Sequence, residues 1–161
     1  METLLKSLRL SEAIAATAAY AAVAGLLMAD VIGREFFQTS IFGAQQLAVY
    51  GAILAGFLGL TLATSDNTHL RPGFMDFLFS KHETAAIRIG DFISGAFFFA
   101  AAHVAWTFVA ISMDANDRAP VLYFLVWPLQ LIIPYAFASC GLKHLVFAIR
   151  PDLKPAAAES A

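Results

Sequence analysis

The chain is predicted to be an all-α integral membrane protein with four transmembrane helices and a short interfacial amphipathic helix between the second and third. Three observations predict this. Four stretches, 13–29, 36–65, 92–113 and 119–142, contain no Asp, Glu, Lys or Arg. Each is long enough to supply a helix of about 20 apolar residues, the length that crosses a bilayer. Charged residues make up 14% of the chain and hydrophobic residues 60%, whereas soluble domains carry about 25% charged residues. Finally, Lys and Arg concentrate at alternate ends of these stretches, as in a chain threaded back and forth through a membrane.

The first helix is expected at 11–32. Ser11 suits the N-cap, with Glu12 in the first turn where the helix dipole favours an anion. Its body is small: Ala15, Ala16, Ala18, Ala19, Ala22 and Gly25 let another backbone approach closely in lipid. The apolar run is too long for the 7–15-residue core typical of a signal peptide, continuing to Ile32 with only Asp30 interrupting. It is therefore expected to span the membrane rather than to be cleaved.

The second helix is expected at 44–64. Gly51, Ala55 and Gly59 repeat every four residues and form one narrow groove, and Ala44, Ala48, Ala52 and Gly56 form another. A helix with two small faces is expected to pack on more than one side. After it, Arg71-Pro72-Gly73 breaks the chain. Phe74, Phe77 and Leu78 then recur at helical spacing with Asp76, Ser80 and Lys81 elsewhere around the turn. This pattern predicts an interfacial helix anchored in membrane lipid by Arg71, Phe74, Phe77 and Leu78.

The third helix is expected at 91–113. Three consecutive residues, Phe97, Phe98 and Phe99, cannot share one face, so at least one meets lipid or a partner. The fourth is expected at 121–143. Pro128 and Pro134 each remove a helix hydrogen bond, which predicts a kink or a short re-entrant start. Trp127, Tyr123 and Tyr135 suit an aromatic belt. These spans form a single membrane domain over 1–150, followed by a tail at 151–161 without periodicity, expected to be disordered.

Orientation follows from the loops. Lys6 and Arg9 precede the first helix, Arg71, Lys81 and Arg88 lie between the second and third, and Lys143, Arg150 and Lys154 follow the fourth. The opposite side has Arg34 and Arg118, offset by Glu35, Asp114 and Asp117. The positive-inside rule then places both termini in the cytoplasm, which requires an even number of spans.

Few residues carry the marks of chemistry. The lone cysteine, Cys140, cannot form an internal disulfide and reads as a small packing residue. No nucleotide-binding loop, zinc-spacing pattern or nucleophile elbow occurs. No enzymatic activity, cofactor, metal or nucleic-acid partner is expected. His103 falls at the middle of the third helix, where an ionisable residue is a functional candidate. A proton relay, a haem ligand and a neutral imidazole bonded to a neighbouring helix are the readings open to it; the last is favoured. A haem between helices takes two axial ligands, and His69, His82 and His144 lie near or beyond the helix ends. Asp30 and Arg34 stand four residues apart and can pair on one face. No carboxylate falls at mid-depth, which argues against a self-sufficient proton-coupled transporter.

The order of these features resembles the small membrane subunit, DctQ-like, of tripartite ATP-independent periplasmic (TRAP) transporters. The resemblance runs over about 29–145. It begins with Val31-Ile32-Gly33-Arg34 closing the first helix and Gly43-Ala44-Gln45-Gln46-Leu47-Ala48-Val49-Tyr50 opening the second. It continues through the Gly-rich 51–64, Thr68-His69-Leu70-Arg71 and Met75-Asp76-Phe77-Leu78. It ends with Val126-Trp127-Pro128 and Ile133-Pro134 in the fourth helix. Family members often carry acids where this chain has Gln45 and Gln46, so a contact made there is a neutral hydrogen bond. The resemblance implies a bacterial inner-membrane protein that binds a large multi-span permease subunit served by a periplasmic substrate-binding protein. It implies a scaffold for sodium-driven uptake of an organic acid. Arg34, Gln45, Gln46, Gly51, Ala55, Gly59 and Trp127 are the candidate partner-interface residues. The alternative is a haem-carrying or anchor subunit of a membrane redox complex, which predicts two histidines at matching depth.

Overall fold

The computed structural model describes residues 2–66 and 83–154. Their architecture is all-α. Helix α1 spans Glu2–Phe37, α2 Ala44–Ser65, α3 Glu83–Asp114, α4 Trp127–Gln130 and α5 Ile132–Ile149, and a 3-10 turn follows at Pro151–Leu153. Four segments are long and apolar enough to cross a membrane: Leu5–Phe37, Ala44–Ser65, Arg88–Asp114 and Trp127–Ile149. The interfacial anchor residues Arg71, Phe74, Phe77 and Leu78 lie outside the described residues.

Packing follows a simple order. α1 lies on α2, α2 on α5, and α5 on α3; no other pair of long helices packs extensively among the described residues. Such a chain of neighbours leaves much helix surface uncovered. Only 11% of the apolar window of the first span and 17% of that of the third are buried within the chain. The outer two helices each bury one narrow seam. In α1 it includes Glu12, Ala16, Ala19, Val23, Leu26, Asp30 and Gly33; in α3 it includes Asp91, Gly95, Phe98, Ala102, Ala105, Val109 and Ser112. Alternating steps of four and three are the spacing of near-parallel, left-handed helix packing.

Glycines sit where backbones approach. A Cβ at Gly51 would lie 2.5 Å from Val23 Cγ2, so this residue lets α1 onto α2. On the other side of the molecule, a Cβ at Gly141 would lie 3.0 Å from the Phe99 ring and 3.3 Å from the Gly95 carbonyl, which brings α5 against α3.

Several boundaries differ from the sequence expectation. α1 begins nine residues earlier than 11–32, so Ser11 is not an N-cap; its hydroxyl donates to the Leu8 carbonyl at 2.8 Å within the helix. Nothing in residues 2–10 breaks a helix, and the dipole preference at Glu12 is moot in mid-helix. The fourth span begins at Trp127 rather than 121 and continues to Ile149 rather than 143. Residues ahead of Trp127 fold into a tight loop with positive φ at Val121 (71°) and Tyr123 (55°). The Leu122 amide donates to Pro120 at 2.8 Å, and Ala119 to Phe124 at 2.8 Å. The strain of a β-branched residue at positive φ, about 1–3 kcal/mol, is offset by these bonds and by packing. Leu122 reaches α2 and fills the space a side chain at Gly43 would need, where φ is itself +74°. The proline expectation resolves as a break at Leu131 between α4 and α5. Pro128 and Pro134 fall in first turns, where a missing N–H costs no helix bond. Of the tail expected from 151, Pro151–Leu153 form the 3-10 turn and 155–161 lie outside the described residues.

Candidate functional site

Charge pairs stand at both ends of the molecule, and those at the end holding the termini join separate elements. At the end holding the termini, Arg9 Nε donates to Asp66 at 2.7 Å, linking α1 to the end of α2. Lys154 Nζ lies 2.7 Å from both oxygens of Asp91 on α3, and His144 Nδ1 lies 3.1 Å from Asp91 Oδ1. The His144 ring also stacks on Phe98, with centroids 5.5 Å apart.

Deeper in, Glu12 and Lys143 form an ion pair at 2.5 Å, each side chain only 1% exposed. Glu12 Oε1 accepts from Ser139 at 2.6 Å and from Tyr135 at 3.3 Å, and Lys143 donates to the Thr61 carbonyl at 2.8 Å. One buried network therefore spans α1, α2 and α5. Its desolvation costs several kcal/mol per ion, and the surrounding donors and acceptors satisfy the remaining polar atoms.

At the other end, Asp30 is buried and organises the α1–α2 connection. Its Oδ1 accepts from the Ile41 amide at 2.8 Å and the Ser40 hydroxyl at 3.0 Å, and its Oδ2 pairs with Arg34 at 3.1 Å. This is the expected i,i+4 pair. Arg34 is 48% exposed, so the buried carboxylate holds a guanidinium that still faces outward.

Depth separates these groups. Glu12 and Asp30 are 18 residues apart, about 27 Å along a helix, close to the hydrocarbon thickness of about 30 Å. Both acids therefore sit near the edges of the apolar layer. His103 lies between Asp91 and Asp114, about 16–18 Å from each along the helix. It is exposed, on a flank of α3 outside the seam against α5, and its imidazole makes no hydrogen bond among the described residues. The favoured expectation was a bond to a neighbouring helix; the described residues supply no such partner. α3 has one covered face, and His103 is not on it.

The other predicted residues scatter. Gln45 and Gln46 line a cavity of about 340 Å³ with Val49, Tyr50 and Pro120. Gly51 packs on Val23, Ala55 is buried, and Gly59 is exposed, with open space for 4 Å around the point a Cβ would occupy. The three do not form one outward groove. Trp127 opens α4, half-buried. Cys140 is buried, accepting from the Thr64 hydroxyl at 3.2 Å, as a packing residue would be. A two-histidine haem site is not supported: His103 and His144 lie at different depths, and His69 and His82 fall outside the described residues.

The Glu12–Lys143 network was not anticipated. A signal existed in the positions Tyr135, Ser139 and Lys143, which form a polar i, i+4, i+8 line on an otherwise apolar helix. Glu12 is the charge that opens the first uncharged run, at the same end of the bundle.

No curated protein and no solved structure matches the chain. A family model does, over residues 23–153, which take in the second, third and fourth spans and the latter part of the first. On that match the chain belongs to the family of DctQ components of tripartite ATP-independent periplasmic transporters, a family of transporter components and not of enzymes.

Proposed function

We propose that this chain is the small permease subunit that scaffolds a large multi-span subunit for sodium-driven, binding-protein-dependent uptake of an organic acid. The observation that carries the reading is the uncovered surface. The helices pack in succession, and α3 turns an unbonded mid-depth imidazole outward. A polar group in hydrocarbon is costly unless a partner satisfies it. A protein partner in the membrane supplies both the cover and the bond.

The chain's own charges support a scaffold rather than a transport site. Glu12, Asp30 and Asp91 are each engaged by a cation of this chain. None of the three is left to exchange an ion or bind substrate. The uncovered small residues of α2, Ala52, Gly56 and Gly59, suit close approach by another helix.

The loop charges favour a bacterial inner-membrane orientation with both termini cytoplasmic. Arg34, Gln45 and Gln46 then face the periplasmic side, where a substrate-binding protein docks. Trp127 lies at that same level. Co-purification tests the reading. A tagged copy of this chain should retain the large permease through detergent extraction, and recovery of the chain alone from cells making both would count against it.

A further inference from the structure

At the end of the molecule that holds both termini, a cavity of about 470 Å³ opens between the start of α1, the end of α2, the last turns of α5 and the 3-10 turn. Ligand pockets have volumes of this order. Leu5, Phe147 and Leu153 form its apolar wall. Its charged lining holds four cations, Lys6, Arg9, Lys143 and Lys154, against two carboxylates, Asp66 and Asp152.

The cations differ in what they can offer. Lys143 is held from behind by Glu12, and Lys154 by both oxygens of Asp91. Arg9 is held differently. Asp66 takes its Nε, which fixes the plane of the guanidinium while the two η nitrogens stay out of that bond. An oriented guanidinium is a two-pronged donor whose geometry matches phosphate oxygens. Lys6, one turn earlier on α1, lines the same cavity.

Depth adds to this. The buried Glu12–Lys143 pair marks the edge of the apolar layer, and the cavity lies just beyond it, at the level of lipid headgroups. We propose that this cavity binds a single phosphate group, gripped by Arg9 with Lys6 as second cation and Asp66 as the positioning residue. The phosphate comes from a membrane phospholipid, whose glycerol carbons meet the Leu5, Phe147 and Leu153 wall, or from free phosphate. The site belongs to this chain alone, whichever side of the membrane the termini face and whatever the complex transports.

Native mass spectrometry of the purified full chain in detergent tests this. The probes are dioleoylphosphatidylglycerol, dioleoylglycerol, which lacks the phosphate, and inorganic phosphate. The phosphatidylglycerol should be retained and the dioleoylglycerol should not. Arg9→Gln should lower retention about tenfold, the worth of one charge-assisted hydrogen bond. Arg9→Lys, which keeps the charge without the fork, should fall between, and Lys6→Gln should also weaken binding. Arg150→Gln, an exposed cation near the cavity but not lining it, should change nothing. Displacement of the lipid by millimolar inorganic phosphate assigns the site to free phosphate; failure to displace it assigns the site to lipid. Equal retention of both lipids, or unchanged retention in both Arg9→Gln and Lys6→Gln, overturns the proposal.

Discussion

Glu12 shows how one side chain can decide a helix position. It reaches from α1 to Lys143 on α5, two helices that otherwise share little contact, and leaves both charges buried. Removing one partner leaves the other uncompensated, a loss of about 3–5 kcal/mol. Glu12→Gln or Lys143→Met should therefore lower the thermal stability of the purified chain. The double substitution Glu12→Leu with Lys143→Met should recover much of it, because paired apolar replacements remove both desolvation terms. Thermal unfolding in detergent measures both. His103 makes a contrasting case, since its ring finds no bonding partner among the described residues. His103→Leu should leave the melting temperature of the isolated chain unchanged and reduce recovery of the permease in co-purification; His103→Gln should retain most of it. At this scale the sequence was legible for Asp30 and Arg34, whose spacing alone predicts their pair. It was not legible for Glu12, because a pair 131 positions apart is set by helix order and not by local spacing. Nor did it show which way His103 points. That depends on which single face of α3 meets α5.

The spans were legible because hydrocarbon thickness sets their length, and uncharged runs mark it. Their ends were less so. α1 runs nine residues further toward the N-terminus than 11–32, and Val121 starts a strained turn instead of a helix. No local signal in 121–126 opposes a helix; Leu122 is drawn out by the space above Gly43. Of the glycines read as close-approach positions, Gly51 meets Val23, whereas Gly25, Gly56 and Gly59 have open space around them among the described residues. Gly51 serves α1, while Gly59 faces outward. The missed contact, Gly95 with Gly141, joins residues 46 positions apart whose pairing emerges only once α3 lies on α5. Substitution separates the roles. Gly51→Leu should destabilise the isolated chain by about 1–3 kcal/mol, the usual cost of overpacking, because Val23 already fills that space. Gly59→Leu should leave the melting temperature unchanged and weaken association with the permease. Equal effects of the two on the isolated chain would show that both positions face inward.

At the scale of the molecule, the four spans bring the start of α1, the end of α2, the start of α3 and the end of α5 to one level, as the Arg9–Asp66 and Lys154–Asp91 pairs show. Both termini therefore share one side, as the even span count requires. Which side they share rests on loop charge. With Cys140 replaced, cysteines introduced at Gln38 or Asn116 should react with an impermeant thiol reagent added outside cells, and one at Ser65 should not; the reverse pattern would invert the orientation. Arg34, held by Asp30 and half exposed, would then face the periplasm. Arg34→Ala should lower uptake by the assembled transporter without changing which acid is carried. The central claim is that a row of helices whose buried acids Glu12, Asp30 and Asp91 are already paired lends surface, not a transport site, to a larger partner. Reconstitution into liposomes tests it most directly. The chain alone should show no sodium-driven uptake of any organic acid, and uptake should occur only with the large permease, the binding protein and an inward sodium gradient. Concentrative uptake by this chain alone would contradict the account.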